Sequence, residues 1–171
     1  MYTDAAPISI PPSTVSQPIP LDYNGNMRLD MIGNVPSQQS TTSSQDGALV
    51  IWKNVWDSTD DQILFDTIPF AAPNMTSAPK CTLPNPHSSA IVDFNGDCLA
   101  DLFLTCKDPS SDKTTYQIWL NDPEGGGYTL ARQGTMPQGS GLVSFADMGR
   151  FEASLLSITD GLFQIETVLS T

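Results

Sequence analysis

The chain has 171 residues, room for one domain of ordinary size but not for two well-packed cores. Nineteen acidic against seven basic side chains give a formal charge of −12, which argues against a nucleic-acid backbone or an anionic membrane surface as partner. Only 15% of residues are charged, while 14 Pro and 12 Gly accompany 39% hydrophobic residues; this fits loop-rich β structure, and neither a disordered charged tail nor a helical bundle.

Residues 1–16 read as an extended segment that lacks the basic and apolar regions of a signal peptide, and no run of about 18 apolar residues offers a membrane span. Short apolar or alternating runs then predict strands over 19–22, 29–33, 48–53 and 62–67. Residues 36–47, all Ser, Thr, Gln, Pro, Asp or Gly, form a solvated loop within this set. The proline-rich stretch 71–87 reads as a connection. A second set of strands follows over 90–93, 101–106, 116–121 and 128–132, with Gly125-Gly126-Gly127 as the turn before the last. No helix or Lys follows those glycines as a phosphate-binding loop requires. Strands over 142–146 and 155–159 open a third set.

Internal repetition organises these sets. LDYNGNMRLDMIG, from Leu21, superposes on VDFNGDCLADLFL, from Val92, with the leading aspartates Asp22 and Asp93 71 positions apart. An Ile-Trp pair follows each, in Ile51-Trp52-Lys53-Asn54 and Ile118-Trp119-Leu120-Asn121, so each unit is expected to be a four-stranded antiparallel sheet. The equivalent Trp52 and Trp119 are expected to pack between units rather than stack on a ligand. The units are 17–70 and 88–137, and 138–171 forms a degenerate or truncated third. Repeated four-stranded units are the blades of a β-propeller, closed with about 4–8 of them. Two and a part leave blade edges open, so self-association is expected.

In Asp93-Phe94-Asn95-Gly96-Asp97-Cys98-Leu99-Ala100-Asp101, side-chain oxygens occupy positions 1, 3, 5 and 9. Ca²⁺ takes about 6–8 oxygens. Asp93, Asn95 and Asp97, the backbone carbonyl of Leu99 and finally Asp101 can supply them, with Gly96 permitting the tight turn. The first unit repeats the set as Asp22, Asn24, Asn26, the carbonyl of Arg28, and Asp30, with Gly25 at the turn and two carboxylates instead of three. Neither loop is an EF-hand, because the glycine falls at position 4 and no Glu stands at position 12. A single Asn-Gly is as easily a hairpin turn; two copies in one frame, each entering a strand through Asp, favour a metal. In the third unit Asp147 keeps position 1, but Gly149, Phe151 and Leu155 replace the other ligands.

DYNGNMRLD and DFNGDCLAD, each followed by an apolar strand, resemble the calcium-cage motif of FG-GAP repeats, the blades of integrin α-subunit propellers. PNPHSSAIVDFNGDCLADLFLTC and the IWLN strand are more specifically similar to the T-cell immunomodulatory protein family, and the resemblance spans roughly 17–147. It implies an all-β, partial integrin-α-like propeller with structural Ca²⁺. It further implies an extracellular or secretory-lumen setting, membrane anchoring only in full-length relatives, and adhesion or protein interaction without catalysis. The literal Phe-Gly and Gly-Ala-Pro signatures are absent. Two alternatives stand beside it: a calcium-stabilised accessory domain of a carbohydrate-active enzyme, and a truncated product without independent function.

Three cysteines allow one bridge. Cys98 and Cys106 lie too far apart along one strand to pair. Cys81–Cys106 is preferred to Cys81–Cys98, and three unpaired thiols remain an alternative. His87, the single histidine, lies beside Ser88 and Ser89 but no nucleophile motif supports a triad, so it is expected to pack or hydrogen-bond before the strand at 90–93. Asn74-Met75-Thr76 is a sequon for glycosylation in a secretory compartment.

Overall fold

The computed structural model describes residues 11, 17–35, 48–57, 63–73, 79–107, 111, 113–138, 140–147, 153–159 and 162–167; the sequon at Asn74 and the loop at 36–47 lie outside them. Among the described residues all regular structure is strand. None contains a helix long and apolar enough to cross a membrane.

The two four-stranded antiparallel sheets expected from the repeat are present. Strands β1 (Ile19–Leu21), β2 (Asp30–Asn34), β3 (Leu49–Asn54) and β4 (Phe65–Pro69) form the first, in chain order. Strands β5 (Ala90–Val92), β6 (Asp101–Lys107), β7 (Thr114–Asp122) and β8 (Gly127–Thr135) form the second, also in chain order. The register repeats as well: Ile32 pairs with Ile51 and Met31 with Trp52, as Phe103 pairs with Ile118 and Leu102 with Trp119. A third sheet has three strands, β9 (Ser140–Asp147), β10 (Ala153–Thr159) and β11 (Leu162–Thr167), in the order β11-β10-β9. The sequence reading lacks β11, although Asp160-Gly161 just before Leu162–Thr167 is a hairpin-turn signal; the segment has no counterpart in the repeat motif.

The sheets stack in one sense. Ile32 and Ile51 of the first sheet share a core with Leu102, Leu104 and Trp119 of the second. On the opposite face of the second sheet, Phe103 and Ile118, the repeat equivalents of Ile32 and Ile51, pack on Val143 and Phe145 of β9. Aromatic residues bridge each step. The Tyr23 and Tyr128 rings lie 5.7 Å apart, and Phe94 meets Phe145 edge-on at 5.5 Å. Strand β6 is therefore covered on both sides, with Asp101 to Cys106 all buried, which is why it reads as a continuous apolar run instead of alternating. Trp119 joins the inter-sheet core as expected; Trp52 is buried but belongs to neither of these two clusters.

The stretch read as a connection contributes to the core. Cys81 and Leu83 are buried with Leu102 and Leu104, and Asn34 at the end of β2 grips both residues: its Nδ2 donates to the Cys81 carbonyl at 3.0 Å and its Oδ1 accepts from the Leu83 amide at 3.1 Å. Upstream, Phe70 stacks on Tyr128 at 5.0 Å and meets Trp119 at 4.8 Å, while the amides of Tyr128 and Ala72 bond the carbonyls of Phe70 and Tyr128. Any side chain at Gly127 would strike the Ala71–Ala72 backbone, with the nearest atom 2.7 Å from a Cβ. The glycine run thus makes the expected turn and also admits a passing chain.

Cys81 and Cys106 form the disulfide, and Cys98 is free and exposed. His87 Nδ1 accepts from the Ser89 amide at 3.4 Å, leaving Nε2–H to donate to the Gln17 carbonyl at 3.1 Å, a structural role that ties β5 to the start of the first sheet. The bridge closes a span of 25 residues, so its loss should cost about 3.5 kcal/mol on chain-entropy grounds. The Cys81→Ala/Cys106→Ala variant should melt well below the wild type, whereas Cys98→Ser should melt with it; calorimetric scans compare all three.

Candidate functional site

Both Asp-Asn-Gly loops sit between the first and second strands of their sheets and fold alike. Asp22 Oδ1 and Oδ2 accept the amides of Asn26 and Met27, at 3.1 and 2.7 Å. Asp93 Oδ1 and Oδ2 accept those of Gly96 and Cys98, at 2.7 and 2.9 Å. Gly25 and Gly96 take φ of 70° and 79°, the left-handed turn anticipated for them. Met27 and Cys98, both at position 6, do the same at 62° and 65°, which nothing in their residue types announces.

The ninth position has a task that sequence reasoning missed. Asp30 and Asp101 are fully buried. Asp30 Oδ2 accepts the Tyr23 amide at 2.9 Å and Oδ1 the Asn54 amide at 2.7 Å; Asp101 Oδ2 accepts the Phe94 amide at 2.9 Å and Oδ1 the Asn121 amide at 2.8 Å. Each carboxylate thus joins its own loop to the end of the third strand of its sheet. Burial raises the Asp101 carboxyl above the usual aspartate range, the two amides draw it back, and Asp97 and Asp93 add repulsion.

The central residues differ between the copies. In the second loop Asn95 Nδ2 donates to Asp97 Oδ2 at 2.8 Å, Asn95 Oδ1 accepts the Asp97 amide, and Asp97 Oδ1 accepts the Leu99 amide. The Leu99 carbonyl accepts the Asp101 amide at 3.1 Å. In the first loop Asn26 Oδ1 accepts the Arg28 amide at 2.9 Å, but Asn24 Oδ1 is buried without a hydrogen-bond partner. Among the described residues no three His, Cys, Asp or Glu side chains are drawn together as a metal-holding group. The side chain of Asp147 lies outside the described residues.

The asparagines closing the IWKN and IWLN strands are a second omission, although their equivalence was visible in the repeat. Asn54 stays within its sheet, donating to the Leu29 carbonyl at 3.3 Å and accepting the Trp56 amide at 3.0 Å. At the corresponding place after Asn121 stands Pro123, which has no amide hydrogen. Asn121 Nδ2 instead crosses to the first sheet and donates to the Tyr23 carbonyl at 2.7 Å, leaving its Oδ1 buried without a partner. Tyr128, whose phenol burial holds protonated, donates to the Ala100 carbonyl at 3.0 Å from the same interface. The two loops are thereby joined through Asn121, which touches Asp101 of one and Tyr23 of the other.

Two curated relatives share part of this sequence. A protein named T-cell immunomodulatory protein homolog from Plasmodium yoelii yoelii is 32% identical over 105 residues, 61% of this chain and 14% of that protein. One of the same name from Plasmodium falciparum (isolate 3D7) is 49% identical over 39 residues, 23% of this chain and 5% of that protein. The matches therefore span a small part of each relative. No protein-family model matches the chain, and no solved structure matches it.

Replacing Asp30 or Asp101 by Asn turns one buried acceptor into a donor facing an amide, so each variant should lose about 1–3 kcal/mol of stability even in chelator. Asp22→Asn, at a half-buried loop position, should lose less. Urea melts in chelator rank the three.

Proposed function

We propose that the chain forms consecutive blades of an FG-GAP-like, integrin-α-type β-propeller, with Ca²⁺ as a structural ion in its loops and protein interaction or adhesion as its task. The bonds that the two loops share carry this reading: in both, the first aspartate accepts the amide of position 6, and the ninth accepts one amide from its own loop and one from the third strand. The one-way stacking of successive sheets supports the propeller, and the similarity to proteins named T-cell immunomodulatory protein homolog supports the family.

The donor set suits a hard cation. Asp22, Asn24, Asn26, the Arg28 carbonyl and Asp30 offer only oxygen in the first loop, as do Asp93, Asn95, Asp97, the Leu99 carbonyl and Asp101 in the second. The buried, unpartnered Asn24 Oδ1 is an acceptor such an ion would satisfy. Carboxylate oxygens already accepting amides keep a second lone pair. Bound Ca²⁺ would supply charge neutralisation and loop order. We assign no catalytic residue. The disulfide favours an oxidising compartment, consistent with an extracellular or secretory-lumen location. The partner is then a protein, neither nucleic acid nor membrane lipid, and open blade edges favour self-association of the isolated chain.

Ca²⁺ at a hundred times its Kd should stabilise the fold by about 2.7 kcal/mol over chelator. Superimposable melts at millimolar Ca²⁺ would overturn the metal reading. The three-carboxylate loop should fill first. Asp97→Asn should weaken it and Asn26→Asp tighten the other, as resolved by calorimetric titration; an Asn26→Asp loop no tighter than wild type would contradict ranking by charge.

A further inference from the structure

We propose that a cleft between Pro79-Lys80 and strands β6–β8 binds an anionic, hydroxyl-rich ligand, a sugar bearing sulfate or carboxylate, with Lys80 and Lys107 taking the acidic group. Trp119 belongs to the core between the first two sheets, but Gln117 and Thr115, which follow it along the same face of β7, are polar. Gln117 pairs with Gln133 and Thr115 with Thr135 across to β8, so four neutral hydrogen-bonding side chains share one face. Together with Pro79, Lys80, Lys107 and Gly134 they line a cleft of about 520 Å³. That volume lies within the roughly 300–1,000 Å³ of small-ligand sites, and the polar lining calls for a polar occupant.

Among the described residues the lining charge opposes that of the chain. Only 7 of 171 residues are Lys or Arg against 19 acids, yet two lysines and no acidic side chain are among the described lining residues. Their placement is built in. Lys80 and Lys107 each adjoin a cysteine of the Cys81–Cys106 bridge, and the Lys107 amide donates to the Thr82 carbonyl at 2.8 Å. Gln117 is held as well: Trp119 Nε1 donates to its Oε1 at 2.9 Å, and its Nε2 donates to the Lys80 carbonyl at 3.5 Å. Two lysines on a cross-linked backbone answer an anionic substituent, and Gln133 and Thr135 answer ring hydroxyls, while Gln117 and Thr115, bonded to Lys80 and Cys106 carbonyls, form the floor. This site is independent of the calcium loops.

The test is calorimetric titration of the intact, oxidised chain with four probes: a sulfated disaccharide, an unsulfated uronate disaccharide, a neutral disaccharide and a polyglutamate peptide. At least one acidic disaccharide should bind saturably, which of the two identifying the acidic group, and the neutral sugar should not. The Lys80→Gln/Lys107→Gln variant should bind about tenfold more weakly and each single variant less so, with an unchanged melting temperature, while Lys53→Gln, the same charge change on β3 as either single variant, should bind like the wild type. Absence of binding by both acidic sugars, equal binding of the neutral sugar, equal or tighter binding of polyglutamate, or equal weakening by Lys53→Gln would each overturn the proposal.

Discussion

A buried carboxylate at the start of the second strand, accepting one amide from its loop and one from the third strand, is the constraint on which each repeat depends. An isolated buried charge is expensive, but one that receives two charge-assisted hydrogen bonds becomes a fixed point. Asp30 holds Tyr23 and Asn54 in place, and Asp101 holds Phe94 and Asn121. Because Tyr23 and Phe94 are among the aromatic residues that reach the neighbouring sheet, the same carboxylate that shapes the loop also aims a packing contact.

The repeats are alike in this anchor and differ in what surrounds it. Asn54 Nδ2 bonds the Leu29 carbonyl, but the counterpart carbonyl of Ala100 receives the Tyr128 hydroxyl, and Asn121 Nδ2 crosses to Tyr23; Pro123, lacking the amide hydrogen that Trp56 offers Asn54, leaves Asn121 Oδ1 without a donor. The second repeat therefore has an inter-sheet clamp where the first has a local cap, with Asn121 Oδ1 left unpartnered. The clamp places the two loops in one hydrogen-bonded chain. In a metal-binding propeller this arrangement would let ions in neighbouring loops reinforce the stacking of the blades that carry them.

Much of this was legible in the sequence, for physical reasons. Alternating and apolar runs bounded by Gly, Pro and Asn announced the first eight strands, and the 71-residue offset fixed their grouping into two sheets. The strand read as beginning at Leu29 begins instead at Asp30, because the carboxylate pairs with the ends of its neighbours while Leu29 stays exposed. Ligand-like spacing marked Asp30 and Asp101, but spacing cannot reveal that both oxygens turn toward backbone amides. Cys81 and Leu83 looked like part of a proline-rich connection; both are held by Asn34, 47 and 49 residues away, and such long-range pairing leaves no local pattern. The effect of Pro123 was equally hidden, since it shows only when the two strand ends are compared in space.

The central claim concerns the four amides that Asp30 and Asp101 receive, and native-state hydrogen exchange in calcium-free buffer reads them one by one. The amides of Tyr23, Asn54, Phe94 and Asn121 should exchange only through global unfolding, as slowly as those at the centre of β6, although two of them lie in loops and two near strand ends. Exchange of these four at the rate of the exposed loop amides of Gly96 and Asn26 would contradict the account.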